Sequence, residues 1–232
     1  MLSSVWIRDF AGLFFPKTCI SCGNSLYSDE EVLCLKCQYR LPRTNFHLSH
    51  ENPVMEIFRG RLPLYSATSF LFFNKGGMSQ QLIHQLKYKG KKEIGLYVGK
   101  LFGRQLNESE LFQHADALIP VPLHPKKQFK RGYNQSLLIT RGMAATMNAG
   151  VYPNTLFRKI HSSSQTKKSR YQRWENVKDI FEMKQAEKLD GKHLILVDDV
   201  ITTGATLEAC ANILLQIPNV KLSVASLAYT QV

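Results

Sequence analysis

Apolar side chains along the chain follow two periods, and the switches between them outline the elements. Residues 65–73 read as a strand, closed by the turn Asn74-Lys75-Gly76-Gly77. Over 78–88, Leu82, Ile83 and Leu86 fall at helical spacing, and 94–106 reads as a second helix. Residues 116–121 predict a short buried strand that runs into Pro122. Residues 135–147 predict a helix with Asn134 as its cap. Strands at 155–160 and 193–197, a helix at 206–215 and a last strand at 220–228 complete the pattern. Strands alternating with helices predict an α/β domain with a mostly parallel sheet. Ahead of it, His47, His50, Asn52 and Pro53 read as a polar linker, and 1–15 as an apolar lead-in packing on the segment that follows. No internal repeat interrupts this order.

Composition narrows the class. The chain has 232 residues, 44% of them hydrophobic, 10% aromatic and 21% charged, which excludes a disordered chain and suits one packed domain plus a small module. No apolar run approaches the ~18 residues of a membrane span. Arg8 and Asp9 interrupt the apolar opening and no small-residue cleavage site follows it. The expectation is a soluble cytoplasmic chain without membrane insertion. The net charge is +12, and residues 119–181 carry twelve basic against two acidic side chains. Such concentration is either a solvated face or a site for phosphates, and the phosphates would be those of a polyphosphate substrate or of a nucleic-acid backbone.

Four of the five cysteines form the pairs Cys19-x-x-Cys22 and Cys34-x-x-Cys37. Each pair can present two thiolates to one ion, and Lys17, Gly23, Asn24 and Ser25 are typical of the turns such pairs need. In a reducing compartment disulfides do not persist, so the expectation is structural Zn²⁺, with a redox pair or an iron–sulfur cluster as alternatives. A closed four-sulfur site leaves no open coordination position, so its role is to fold the segment. Cys210, alone in a predicted helix, reads as a buried apolar side chain.

Residues 194–206, Leu-Ile-Leu-Val-Asp-Asp-Val-Ile-Thr-Thr-Gly-Ala-Thr, carry the chemistry. Four apolar residues make a strand buried on both faces. Asp198 and Asp199 follow at its carboxyl end, where ligands bind in open α/β sheets. The turn of Thr202, Thr203, Gly204, Ala205 and Thr206 then opens a helix, gathering amides and hydroxyls around room for a phosphate. The two acids need other partners, such as sugar hydroxyls or a Mg²⁺-bound diphosphate. Phosphate at one end and hydroxyls at the other describe a ribose 5-phosphate.

This stretch resembles the phosphoribosyl-diphosphate signature of type I phosphoribosyltransferases. The strand and proline-constrained loop Ala117-Leu-Ile-Pro-Val-Pro-Leu-His-Pro-Lys-Lys127 resembles the diphosphate-binding loop of purine-type amidophosphoribosyltransferases. With Arg131-Gly-Tyr-Asn-Gln-Ser136 and the paired cysteines in front, the whole chain resembles the ComF family of competence-associated phosphoribosyltransferase-like proteins. The resemblance implies a phosphoribosyltransferase-type, mostly parallel sheet flanked by helices (56–232), preceded by a small Cys₄ zinc-ribbon module (1–55). It implies phosphoribosyl diphosphate held with Mg²⁺ by Asp198, Asp199 and the 202–206 turn. Val121, Pro122, Leu123, His124 and Lys126 would receive the diphosphate. It also implies a link to natural transformation, with single-stranded DNA and DNA-uptake proteins as partners.

Two readings of function follow. The first is a Mg²⁺-dependent phosphoribosyltransferase with an acceptor, and catalytic residues, that the sequence does not identify. The second is a non-catalytic module that handles single-stranded DNA with the same fold. Lys167, Lys168, Arg170, Tyr171, Arg173 and Trp174 interleave bases with rings, which suits either a stacking surface for bases or a lid over the substrate. The cluster Lys87-Tyr-Lys-Gly-Lys-Lys92 reads as an exposed helix end or a phosphate contact.

Overall fold

The computed structural model describes residues 17–158 and 181–231. Helices α1 (Leu35–Tyr39) and α2 (Pro53–Phe58) precede strand β1 (Ser66–Phe72). Then follow α3 (Met78–Tyr88), α4 (Lys92–Leu106), β2 (Ala117–Pro120), α5 (Pro125–Arg131), α6 (Gln135–Ala144) and β3 (Gly150–Val151). Strands β4 (Leu156–Arg158), β5 (Phe181–Met183) and β6 (His193–Ile201), helix α7 (Ala205–Leu214) and strand β7 (Lys221–Tyr229) complete the order. A five-stranded sheet runs β1-β7-β6-β2-β3 with every pairing parallel, and β4 and β5 form an antiparallel pair beside it. The predicted class, a mostly parallel sheet flanked by helices behind a cysteine-rich segment, is the one observed.

The pleat of β6 explains why its sequence is apolar without alternation. Ile195 and Val197 join the cluster built by α3, α4 and α6, while Leu194 and Leu196 join the one built by α2 and α7 on the other face. Both faces of the strand are covered, so both must be apolar. On the first face α4 and α6 meet backbone to backbone. A Cβ on Gly99 would fall against the Ile139 carbonyl oxygen and 2.9 Å from Gly142 Cα, so only glycine permits the crossing.

Several local expectations change. The stretch 47–53 is not a polar linker. His47 is buried, with Nδ1 2.9 Å from Gln105 Nε2, and burial lowers its pKa. Asn52 caps α2, accepting from the amides of Val54 and Met55, and its Nδ2 donates to the Ala67 carbonyl at 2.9 Å. Polarity at these positions reflects capping and buried hydrogen bonds rather than exposure. Helix α6 ends at Ala144, and β6 continues through Asp198 and Asp199 to Ile201 because β7 keeps pairing with it. The lead-in 1–15, the last two residues of the 155–160 strand, and Lys167, Lys168, Arg170, Tyr171, Arg173 and Trp174 lie outside the described residues.

His193, at the start of β6, is buried between Ser223, whose Oγ is 2.9 Å from Nε2, and the ring of Tyr65. Burial first, and the nearby Lys221 charge second, push its pKa down to about 4 against a smaller opposing effect of Asp116. Between about 6.5 and 4 the unfolded chain takes up a proton that the folded chain refuses. This contribution to stability is therefore complete above pH 6.5 and lost as pH falls to 4. Urea unfolding of His193→Gln across this range should show a shallower acid loss than the parent, by on the order of 2 kcal/mol at pH 4.

Candidate functional site

Strand β6 has β7 beside it as far as Ile201 opposite Tyr229, but β2 ends with Pro120 opposite Val197. Asp198 and Asp199 therefore begin where one flank of the strand loses its neighbour, which opens a crevice at the carboxyl edge of the sheet. Ser136 Oγ donates to Asp198 Oδ1 at 3.0 Å, and the Asp199 amide donates to the same oxygen at 2.8 Å. Among the described residues Asp198 Oδ2 has no partner. Lys87 Nζ lies 2.8 Å from Asp199 Oδ1. Burial raises the Asp198 carboxyl and the Asp199 charge adds to it, while the amide, Ser136 and Lys87 oppose; the result is a pKa of about 7. The site thus holds a carboxyl that titrates close to neutrality beside one held in an ion pair.

The turn after β6 is braced from below. Gly204 has φ +76 and is buried, whereas Thr202, Thr203, Ala205 and Thr206 are exposed. A Cβ at Gly204 would stand 2.8 Å from both Ile57 Cγ2 and Phe58 Cε1 of α2. Glycine is required there by backbone sign and by the helix underneath, not by the outward side on which a phosphate would sit. Arg61 Nη1 donates to the Ile57 carbonyl at 3.0 Å and the Thr203 carbonyl at 3.4 Å, and Nη2 pairs with Glu208. Among the described residues, the amides of Ala205, Thr206 and Leu207 and the hydroxyls of Thr202, Thr203 and Thr206 have no partner. Those unpaired donors are grouped at the positive end of α7.

The proline loop joins the same crevice. The Val121 amide donates to the Val197 carbonyl at 2.9 Å, and Asn134 Nδ2 donates to the Val121 carbonyl at 2.9 Å. Asn134 also caps α6 through the Ser136 amide, so one residue ties the loop to the helix that holds Asp198. Pro122, Leu123 and His124 are half-buried, and His124 Nδ1 caps α5 by accepting from the Lys126 amide at 3.2 Å. Lys126 is exposed and its ammonium pairs with no described residue. Sequence reasoning missed Arg61 and Ser136 as parts of the site and placed Lys87 only in a general basic cluster. Nothing local marks Arg61; Ser136 lay inside a motif already singled out.

The cysteines converge as their spacing predicts. The sulfurs of Cys19, Cys22, Cys34 and Cys37 all lie within 4.8 Å of one another, and those of Cys22 and Cys34 are 3.7 Å apart. A tetrahedral ion with ~2.3 Å metal–sulfur bonds needs sulfurs about 3.8 Å apart, so the set fits a metal. Gly23, at φ +76, closes the first turn, and its amide donates to the Cys19 carbonyl at 2.9 Å. The second pair opens α1, with Cys34 at the cap. Burial raises the Cys19 thiol, but amides of Cys22, Cys34 and Ser21 outweigh it and bring the pKa to about 6. Cys37 is pushed to about 12 by burial and by the neighbouring sulfurs. Four such thiols lose their protons together only with a cation among them.

The phosphoribosyl transferase domain family matches residues 154–229, which contain β6, the turn and α7. Competence protein F of Haemophilus influenzae is 26% identical over 87% of this chain and 92% of its own length. Competence protein ComFC of Bacillus subtilis is 26% identical over 82% of this chain and 81% of its own. This chain is similar to the ComF competence proteins over most of its length. The DNA utilization protein YhgH of Salmonella typhimurium is 30% identical over 58% of this chain, and the match spans 60% of that protein's length. The alignments with the ComF proteins take in most of the chain, and the domain match includes the carboxyl edge of β6. No helix among the described residues is long and apolar enough to cross a membrane.

Metal analysis of the purified protein should find about one metal ion per chain, and Cys34→Ser should lose it. Gly204→Ala should lower the thermal midpoint through strain at positive φ and overlap with Phe58, costing about 2 kcal/mol or more. Differential scanning calorimetry of the variant checks the second.

Proposed function

We propose that this chain binds phosphoribosyl diphosphate, more tightly with Mg²⁺ than without it, in the crevice at the carboxyl edge of β6. The observation that carries the reading is that two carboxylates at the end of β6 are followed directly by amides and hydroxyls of residues 202–207 that have no partner among the described residues. The 5-phosphate sits on the amides of Ala205, Thr206 and Leu207, with the threonine hydroxyls around it. Asp198 and Asp199 face the ribose hydroxyls. Mg²⁺, when bound, neutralises charge on the diphosphate, and the uncommitted oxygen of Asp198 suits so hard a cation. Residues 121–124 and Lys126 receive the diphosphate end.

In the transferase reading, the C1–oxygen bond to the diphosphate breaks as an acceptor's lone pair bonds to C1, and the diphosphate leaves with the bonding electrons. Positive charge grows on the ribose ring, where the two carboxylates stabilise it. No residue of the chain is assigned to bind or deprotonate the acceptor. The names of the relatives, which speak of competence and DNA utilization, support a role in handling DNA; this reading places that role in the cytoplasm, with DNA-uptake proteins as partners. A second reading, a module for single-stranded DNA built on the same fold, draws on the same names. The cysteine set, a Zn²⁺ site in this reading, stabilises a module at 1–55 that precedes the 56–232 domain.

Titration calorimetry with phosphoribosyl diphosphate and Mg²⁺ tests the pocket. Thr203→Val should weaken binding by about 1 to 3 kcal/mol, the range for a hydrogen bond to a charged group. Asp199→Asn should weaken it while leaving the thermal midpoint little changed. Because Asp198 holds a proton below about pH 7, affinity should rise as pH increases from 6 to 8, and Asp198→Asn should flatten that rise. Absence of binding at millimolar ligand in the parent chain would overturn the assignment.

A further inference from the structure

The last turn of α3 is held by a residue from outside the helix. The final four carbonyls of a helix receive no amide of the same helix, and in α3 these belong to Gln85, Leu86, Lys87 and Tyr88. The Lys89 amide donates to the first of them. The Leu86 carbonyl accepts from the phenol hydroxyl of Tyr133, a residue only 8% exposed and 47 positions further along the chain. Gly90, at φ +71, then turns the chain away. The direction in which α3 ends is therefore set by Tyr133.

Tyr133 stands in a stretch with two more attachments. Asn134 Nδ2 donates to the Val121 carbonyl at the head of the proline loop, and Ser136 Oγ donates to Asp198. Residues 133–136 thus join the end of α3, the proline loop and the paired acids. The residue after Leu86 is Lys87, whose ammonium lies 2.8 Å from Asp199 Oδ1. Lys89, Lys91 and Lys92 of the same basic run are exposed, whereas Lys87 is half-buried against the acid. An ammonium has three donors. Asp199 takes one, and among the described residues the other two have no partner.

We propose that Lys87 is a catalytic residue that makes the site select a diphosphate-bearing ribose: one donor stays on Asp199, the others go to the diphosphate, and Tyr133 positions the lysine through the Leu86 carbonyl. The proposal deepens the phosphoribosyl diphosphate reading and rests on it. As the C1–oxygen bond breaks, its electron pair leaves with the diphosphate, and Lys87 neutralises that charge while keeping its own proton. Ribose 5-phosphate offers the same 5-phosphate and hydroxyls but no diphosphate, so it gains nothing from this ammonium. An exposed lysine such as Lys126 has to be immobilised when the ligand arrives, whereas Lys87 is already held by Asp199 and by a fixed helix end.

Titration calorimetry of the full metal-loaded chain with Mg²⁺ and either phosphoribosyl diphosphate or ribose 5-phosphate tests it. The readout is the ratio of the two affinities, because general damage to the pocket weakens both ligands and leaves the ratio alone. Lys87→Met keeps the apolar stem without the charge, and the ratio should fall about tenfold or more, as for a charge-assisted hydrogen bond. Lys87→Gln should lower it similarly, and binding of inorganic diphosphate should weaken in both variants. Tyr133→Phe keeps the ring and loses the hydroxyl, so the ratio should fall less, about fivefold. Lys87→Met combined with Tyr133→Phe should fall no further than Lys87→Met alone, because the tyrosine acts through the lysine. An unchanged ratio in both Lys87 variants, with phosphoribosyl diphosphate still bound, overturns the proposal and leaves the pocket standing. Additive losses in the double variant overturn the positioning role of Tyr133. A parent chain that binds no phosphoribosyl diphosphate at millimolar concentration overturns the pocket and this proposal together.

Discussion

Two adjacent carboxylates on the central strand set the main electrostatic constraint of this molecule. Consecutive residues of a strand point to opposite faces, but the loss of β2 as a neighbour after Val197 lets Asp198 and Asp199 share one crevice. Their mutual repulsion and their withdrawal from water must be offset nearby. The fold does this with three separate pieces: the amino end of α6 through Ser136, the carboxyl end of α3 through Lys87, and the strand's own Asp199 amide. The crossing of α4 and α6 at Gly99 and Gly142 helps to set where Ser136 stands. Packing on one face of the sheet is thereby coupled to charge at its edge.

The other face supports the turn. Helix α2 fills the space beneath Gly204, and Arg61 joins its carbonyl, the Thr203 carbonyl and Glu208 of α7. Among the described residues, the outward side of the turn keeps donors without partners while the inward side is tightly held. Such a division suits a site that must present amides in fixed directions, because donors already oriented need no reorganisation when a phosphate arrives. The cysteine segment is attached elsewhere. Tyr97 donates to Gln38 Oε1 at 2.7 Å, and the Thr44 amide and the Phe72 amide bond across the outer edge of β1 to Phe70 and Pro42. This covers a strand edge that would otherwise be open to pairing.

Helix α5 illustrates how local and global determinants part company. Its existence depends on a proline, a histidine cap and a glycine, none of which shows in an apolar period. Its exposed phenylalanine and bases contribute nothing to a core, so any stabilisation they provide comes from what they meet outside the fold.

The amino-acid sequence determined the elements whose apolar spacing is strong, α3 and the buried run of β6, because burial on one face or two dictates side-chain type residue by residue. It determined the cysteine set and the residues around Asp198 and Asp199, since paired ligands and a strand–turn–helix passage are local in the chain. It misread 47–53, where buried hydrogen bonds and a helix cap use the same polar residues as a linker. The contacts of Lys87, Arg61 and Ser136 were decided only by the tertiary structure. The bonds to Asp198, Asp199, Thr203 and Glu208 join positions 62 to 147 residues apart, and no local period records which helix end will arrive beside a strand. That arrival is set by the parallel order of the sheet and by the close crossing of helices upon it.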